Sequence, residues 1–378
     1  MRRLLAILLA GVVCHGGAAA AATPPVAVFS PFDGSARTLA RLAPHSLRPA
    51  EPRVRLPEYH DNWSFSPDGS RVALGMGGAG DVCGRGICIA DVGSMTVAGH
   101  VPAPTAVEAV AWLRPRRVVG VLQTGGILVG DPVTGVVLQR RDFPYNTYYP
   151  ATARTPAGFA VMFDTIPARL MLVDARGELR SAALNGIGRN AGLAVDRRAG
   201  RAFVVGAGRR VAEVDLRTMS VRYRRVRVPR MTRSREALWL GGGLLAVWGG
   251  SGAGVHVVNT RTWRVRTVSR RATGARRAAG RLLVYSDRRV GPAGRGTGLS
   301  VFTRDGTRLV QHLFGTQELT VEVAGGRAYV AGRDARGRPA AWIVDARSGE
   351  LIRRLAPPRR AYDVWILGSR LGSGALPR

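Results

Sequence analysis

The chain has no lysine. All 56 basic residues among its 378 are arginine. GC-rich coding explains that choice, because arginine codons are GC-rich and lysine codons AT-rich. Without lysine there is no Walker-type phosphate loop. The one superficially similar stretch, "GMGGAG" at Gly75 to Gly80, follows a strand pattern and leads into "DVCGRGI". No helix follows, so it reads as a hairpin tip. Acidic residues are also scarce: 25 against 56, a net charge of +31. Surplus charge of one sign draws polyanions, and arginine offers planar paired donors to phosphate and carboxylate. No GxSxG elbow is present, so a serine-hydrolase frame is missing. His45, His60, His100, His256 and His312 fall in different parts of the chain and form no HxH or HxxxH pair. No cofactor is therefore expected, although a divalent metal in a channel is left open.

Cysteine is limited to three residues. Cys14 lies in "MRRLLAILLAGVVCHGGAAAAATPP", where Arg2 and Arg3 precede the apolar run Leu4 to Val13 and Ala20-Ala21-Ala22 offers a cleavage site. This is the pattern of a secretory signal over residues 1–22. An acylated Cys14 is the rival reading, disfavoured by Val13 where a small residue is needed. Beyond position 22 the balance is 54 basic to 25 acidic residues, or +29, and no apolar run is long enough to span a bilayer. Cys83 and Cys88 flank a short turn, and in an oxidising compartment that spacing favours a disulfide over a metal pair.

Against these absences stand 49 glycines and a repeat. "SFSPDGSRVALG", Ser64 to Gly75, reads as strand, tight turn, strand. Hairpins of one type then recur: an apolar strand closing on Asp, a turn, a second strand. Their turns are marked by Ser46, Ser94, Gly135, Gly177, Thr218, Thr262, Gly306 and Gly349, spaced by 48, 41, 42, 41, 44, 44 and 43 residues. A period near 43 gives four short strands per repeat, which is the pattern of an all-β propeller. Two further strands precede most hairpins, such as "EAVAWL" and "RVVGVL". The N-terminal repeat lacks an inner strand, and "YDVWIL" near the other end lacks partners. One blade built from both ends makes eight four-stranded blades over residues 23–378; seven is the rival count. Asp91, Asp131, Asp174, Asp215 and Asp345, with Asn259 in the same slot, recur once per repeat and read as turn caps.

"SFSPDGSRVAL" resembles the repeat of WD-repeat-like and TolB-like bacterial propellers. The longer "EYHDNWSFSPDGSRVALG", with "AWL" at Ala111 to Leu113 and "GLAVD" at Gly192 to Asp196, is similar to secreted actinobacterial propellers. The Trp-Asp dipeptide is absent.

Loops joining each outer strand to the next inner strand share one face of such a wheel. Tyr59, His60, Asp61, Tyr145, Asn146, Tyr148 and Tyr149 form an aromatic-polar half there. Arg189, Arg233, Arg235, Arg276, Arg277, Arg359 and Arg360 form a basic half. Aromatic, Asn and Arg together suit a polar or anionic ligand. The expected function is thus secreted, non-enzymatic binding or scaffolding by a monomer. The expected partner is a protein or an anionic polymer, without sequence-specific nucleic-acid recognition. The alternative is a propeller-type hydrolase, lyase or lactonase using His60 and Asp61, with Asp61, Glu236, Glu318 and Asp363 as the available carboxylates.

Overall fold

The computed structural model describes residues 26–31, 37–42, 49–56, 59–78, 83–144, 150–188, 190–206, 210–228, 235–249, 254–285, 298–312, 317–324, 326–334, 336, 338–355, 361–368 and 373–375. The expected leader and Cys14 lie outside them. The described chain is all β: eight antiparallel sheets of four strands, one of which gains a fifth, and no helix among the described residues.

From the inside outward, blade 1 is Ala361–Gly368, Val26–Pro31, Arg37–Leu42 and Pro49–Leu56. Blade 2 is Tyr59–Phe65, Arg71–Met76, Gly86–Asp91 and Thr96–Pro102, and Ser373–Ala375 is added against its first strand. Blade 3 is Val107–Arg114, Arg117–Leu122, Ile127–Gly130 and Val137–Arg141. Blade 4 is Thr152–Thr155, Gly158–Phe163, Ala168–Asp174 and Leu179–Leu184. Blade 5 is Gly192–Asp196, Arg201–Val205, Arg210–Asp215 and Val221–Arg225. Blade 6 is Arg235–Gly241, Leu244–Gly249, Val255–Asn259 and Val265–Ser269. Blade 7 is Gly274–Ala278, Arg281–Tyr285, Leu299–Phe302 and Arg308–His312. Blade 8 is Gln317–Ala324, Arg327–Arg333, Pro339–Asp345 and Leu351–Leu355.

Eight blades are present, and the split blade is as expected: Val28 pairs with Trp365 and Ser30 with Asp363. The inner strand Ala361–Gly368 also contacts three strands of blade 8.

Burial follows strand position. Second strands are apolar runs covered on both faces, as in "LLAVWG", where Leu245 to Gly249 are all buried. Outermost strands keep one side to water, and Val137–Arg141 is exposed throughout. Between blades, apolar side chains from both partners interdigitate. Leu39, Val54 and Leu56 of blade 1 meet Trp63, Phe65 and Met95 of blade 2. Val121 and Val129 of blade 3 meet Phe159 and Val173 of blade 4.

Because strands alternate in direction, the connections sort onto two faces. One face holds the tight turns between first and second and between third and fourth strands; it is called the turn face below. The other holds the longer connections and is the loop face.

The third-to-fourth strand turn uses a left-handed residue at the same slot in seven repeats. Gly135, Gly177, Gly306 and Gly349 occupy it, but so do Met95 (φ 53°), Met219 (φ 58°) and Trp263 (φ 57°). The sequence marks Ser94, Thr218 and Thr262 therefore sit one residue early. Side chains are disfavoured at such φ. Met95, only 2% exposed, is held there by packing in the blade 1–2 core.

Candidate functional site

The loop face expected to hold the site is only partly within the described residues. Tyr145, Asn146, Tyr148, Tyr149, Arg189, Arg233, Arg359 and Arg360 lie outside them. Tyr59, His60 and Asp61 belong to the inner strand Tyr59–Phe65 rather than to a loop, and Arg235 opens the inner strand Arg235–Gly241. The carboxylates Glu318 and Asp363 are likewise on inner strands. Arg276 and Arg277 are not loop residues either: both lie within Gly274–Ala278. Cys83 and Cys88 are joined by a disulfide and are both buried. That bond suits an oxidising environment. No helix among the described residues could cross a membrane.

Two polar clusters line the inner strands. In the first, Arg276 meets Glu322 at 3.4 Å, with only 18% and 10% of the two side chains exposed. Tyr285 is fully buried beside them because Gly274 leaves room; a Cβ there would stand 2.4 Å from the Tyr285 ring. Burial works against the Arg276 charge, but Tyr285, Glu322 and Glu236 outweigh it, so the guanidinium stays protonated. Burial pushes the Glu322 carboxyl above the usual carboxylate range, against the pull of Arg276.

The second cluster joins blades 2, 3 and 4. Asn62 donates to Val107 O at 3.1 Å, and Ser64 Oγ accepts from Trp112 N at 2.9 Å. Arg154, on the inner strand of blade 4, reaches past blade 3 to Ser64 Oγ and to Phe65 O at 3.0 Å. Its Nε has no hydrogen-bond partner among the described residues. Burial, and then the nearby Arg197 cation, lower its pKa.

Among the described residues, the turn face carries recurring carboxylates and recurring exposed arginines. Each turn carboxylate faces inward to backbone amides. Asp91 accepts from Ser94 N (2.7 Å), Asp174 from Arg176 N (2.7 Å), Asp215 from Arg217 N (2.9 Å) and Asp345 from Arg347 N (2.9 Å). Asn259 makes the same bond with Arg261 N at 2.9 Å. The turn-cap role expected of these residues is what the geometry shows. Uniform arginine usage hides a further repeat at this turn. Asp-x-Arg or Asn-x-Arg recurs in blades 4, 5, 6 and 8 as Arg176, Arg217, Arg261 and Arg347, all exposed. Arg304 adds one from the blade 7 turn, and Arg116, Arg197 and Arg198 add others from the first-to-second strand turns.

Arginine also links blades across this face. Arg117 donates to Arg176 O, Arg180 to Arg217 O (2.7 Å), Arg266 to Asp305 O (3.1 Å) and Arg281 to Arg347 O (3.3 Å). In each case the donor comes from the blade preceding its acceptor in the chain.

No family model and no curated protein matches the sequence. Solved structures do match in fold. The dihydro-heme d1 dehydrogenase NirN, in complex with DHE, aligns with a TM-score of 0.64 at 15% identity, over 91% of this chain and 75% of that one. BamB from Moraxella catarrhalis aligns with a TM-score of 0.56 at 13% identity, over 79% and 89%. Saccharomyces cerevisiae Sqt1 aligns with a TM-score of 0.58 at 11% identity, over 80% and 87%. At such identities the likeness is one of architecture: this chain folds as an eight-bladed β-propeller.

Proposed function

We propose that this chain is an extracytoplasmic binding or scaffold propeller that docks an anionic polymer on its turn face. One observation carries the proposal. The repeat presents an exposed arginine at the same turn in blades 4, 5, 6 and 8, while the carboxylate or amide of that turn is engaged by backbone amides. Guanidinium groups at equivalent turns suit a partner whose own charge repeats, such as a chain of phosphates or uronates. The disulfide favours an oxidising compartment.

The test compares polyphosphate binding by two variants across a salt series. One replaces Arg176, Arg217, Arg261 and Arg347 together by Gln. The other replaces Arg233, Arg235, Arg359 and Arg360, the loop-face set. The turn-face variant should bind far more weakly and with a shallower salt dependence, since each phosphate contact contributes a log–log slope of roughly 0.7–0.9. A larger loss from the loop-face set returns the site to that face. Equal losses leave only diffuse attraction, and the docking face is then abandoned.

A further inference from the structure

The groove between blades 6 and 7 is incompletely filled. The residue three positions before the turn cap on each third strand packs toward the preceding blade. In blades 2, 3, 4, 5, 6 and 8 it is Cys88, Leu128, Met171, Ala212, His256 and Trp342. Leu128, Met171 and Trp342 each belong to the core shared with the preceding blade. In blade 7 the same position is Ser300, 8% exposed. Of the side chains at this position only Ala212 is smaller, and beside Ser300 the structure has a cavity of about 350 Å³.

The wall of this cavity has a definite chemistry. Val284, Ala272 and Phe302 supply its apolar part. Ser300, Ser269 and Gln311 supply hydroxyl and amide groups, while the Thr267 hydroxyl turns to His256 on the opposite side of blade 6. Arg266 and Arg308, both exposed, supply two guanidinium groups at its rim. Each guanidinium is anchored through one nitrogen: Arg266 Nη1 to Asp305 O at 3.1 Å, and Arg308 Nη1 to Gln311 Oε1 at 3.1 Å. Asp305 is the nearby acid. One of its oxygens accepts from the hydroxyl of Thr303 and the amide of Thr307, and its charge acts on Arg266, so the two guanidinium groups and this carboxylate leave a net positive rim.

We infer that this cavity binds one anionic sugar unit. The volume lies near the lower end of small-molecule sites, which suits a single ring. Hydroxyl and amide groups match ring hydroxyls, the apolar part matches a C–H face, and the two arginines match a carboxylate or phosphate substituent. The inference is independent of the turn-face proposal, because it rests on a different set of side chains.

Calorimetric titration of the full chain with glucuronate, glucose 6-phosphate and glucose tests it. Saturable binding is expected for one or both anionic sugars, and which one binds identifies carboxylate or phosphate as the charge recognised. Glucose should bind at least about tenfold more weakly, the size of a lost charge-assisted contact. Arg266→Gln with Arg308→Gln should weaken the anionic sugar by about tenfold or more. Ser300→Leu, which copies the filler of blade 3, should abolish binding while leaving the melting temperature unchanged or raised. That outcome separates an occupied cavity from a damaged fold. The inference is overturned if neither anionic sugar binds saturably, if glucose binds equally well, or if Ser300→Leu folds and still binds.

Discussion

Asp334 shows how a single acidic side chain organises its surroundings. Its carboxylate accepts from the amides of Arg336 (2.9 Å) and Arg338 (3.0 Å) and from the guanidinium groups of Arg338 (2.9 Å) and Arg354 (2.8 Å). Burial alone would raise its pKa, yet the amide and guanidinium of Arg338 bring it down to about 2. Asp91, Asp131, Asp215, Asp305 and Asp345 are also lowered. A carboxyl with a depressed folded pKa stabilises the fold above its unfolded pKa and loses that contribution as pH falls through the folded value. Melting temperature should therefore drop as pH falls from about 4 toward 2, and Asp334→Asn should flatten that drop while lowering stability at pH 7. The Arg276–Glu322 pair has the opposite sign. Arg276→Met leaves Glu322 buried without its cation and should cost about 3 kcal/mol at neutral pH. The loss should shrink as pH falls and Glu322 takes up a proton, and Arg276→Met with Glu322→Leu should recover most of it. Denaturant titrations of the single and double variants at pH 5 and pH 7 measure both. A loss equal at the two pH values would mean that Glu322 is not the titrating partner.

At the scale of strands and turns, the architecture was largely legible. The second-strand runs are apolar and short, the turn caps recur, and the unpaired "YDVWIL" finds "PVAVFSP" as its neighbour. Removing residues 361–378 takes away the inner strand of blade 1 and the added strand of blade 2. The melting temperature should fall by about 10 °C or more; an unchanged value would mean that the shared sheet adds nothing. Cys83→Ser with Cys88→Ser should cost about 2 kcal/mol, since the crosslinked loop is short. An unchanged denaturant midpoint would show that the crosslink adds no stability. The interblade arginine bonds were not legible. Arg180 and Arg281 look like ordinary exposed charges, and their acceptors are main-chain carbonyls 37 and 66 residues away. Arg180→Met and Arg281→Met should each lose about 1 kcal/mol or less, as exposed single hydrogen bonds do.

For the molecule as a whole, the fold could be read from the sequence because its signal repeats eight times, while the site could not. Glu322 in "LTVEVAG" fits an alternating strand with one face in water. Only the approach of Arg276, 46 residues earlier, makes it part of a buried pair. Ser300 carries no signal of its own either; its size stands out only beside Leu128, Met171 and Trp342 at three other interfaces, and blade 5 places the smaller Ala212 there. The arginine two positions after the turn caps of blades 4, 5, 6 and 8 is a periodicity of the sequence, but uniform arginine usage hides it.

The sheet of blade 1 has one further consequence. Val26 and Gly368 are register partners, so the first and last blade-1 strands of the chain lie side by side. A linker from Gly368 to Val26 in place of the stretch that holds Ser373–Ala375, with new ends opened between blades 4 and 5, would yield a circular permutant in which the four strands of every blade come from one continuous stretch. No blade then waits for a strand made hundreds of residues later, so its refolding should be faster than that of the parent at similar equilibrium stability.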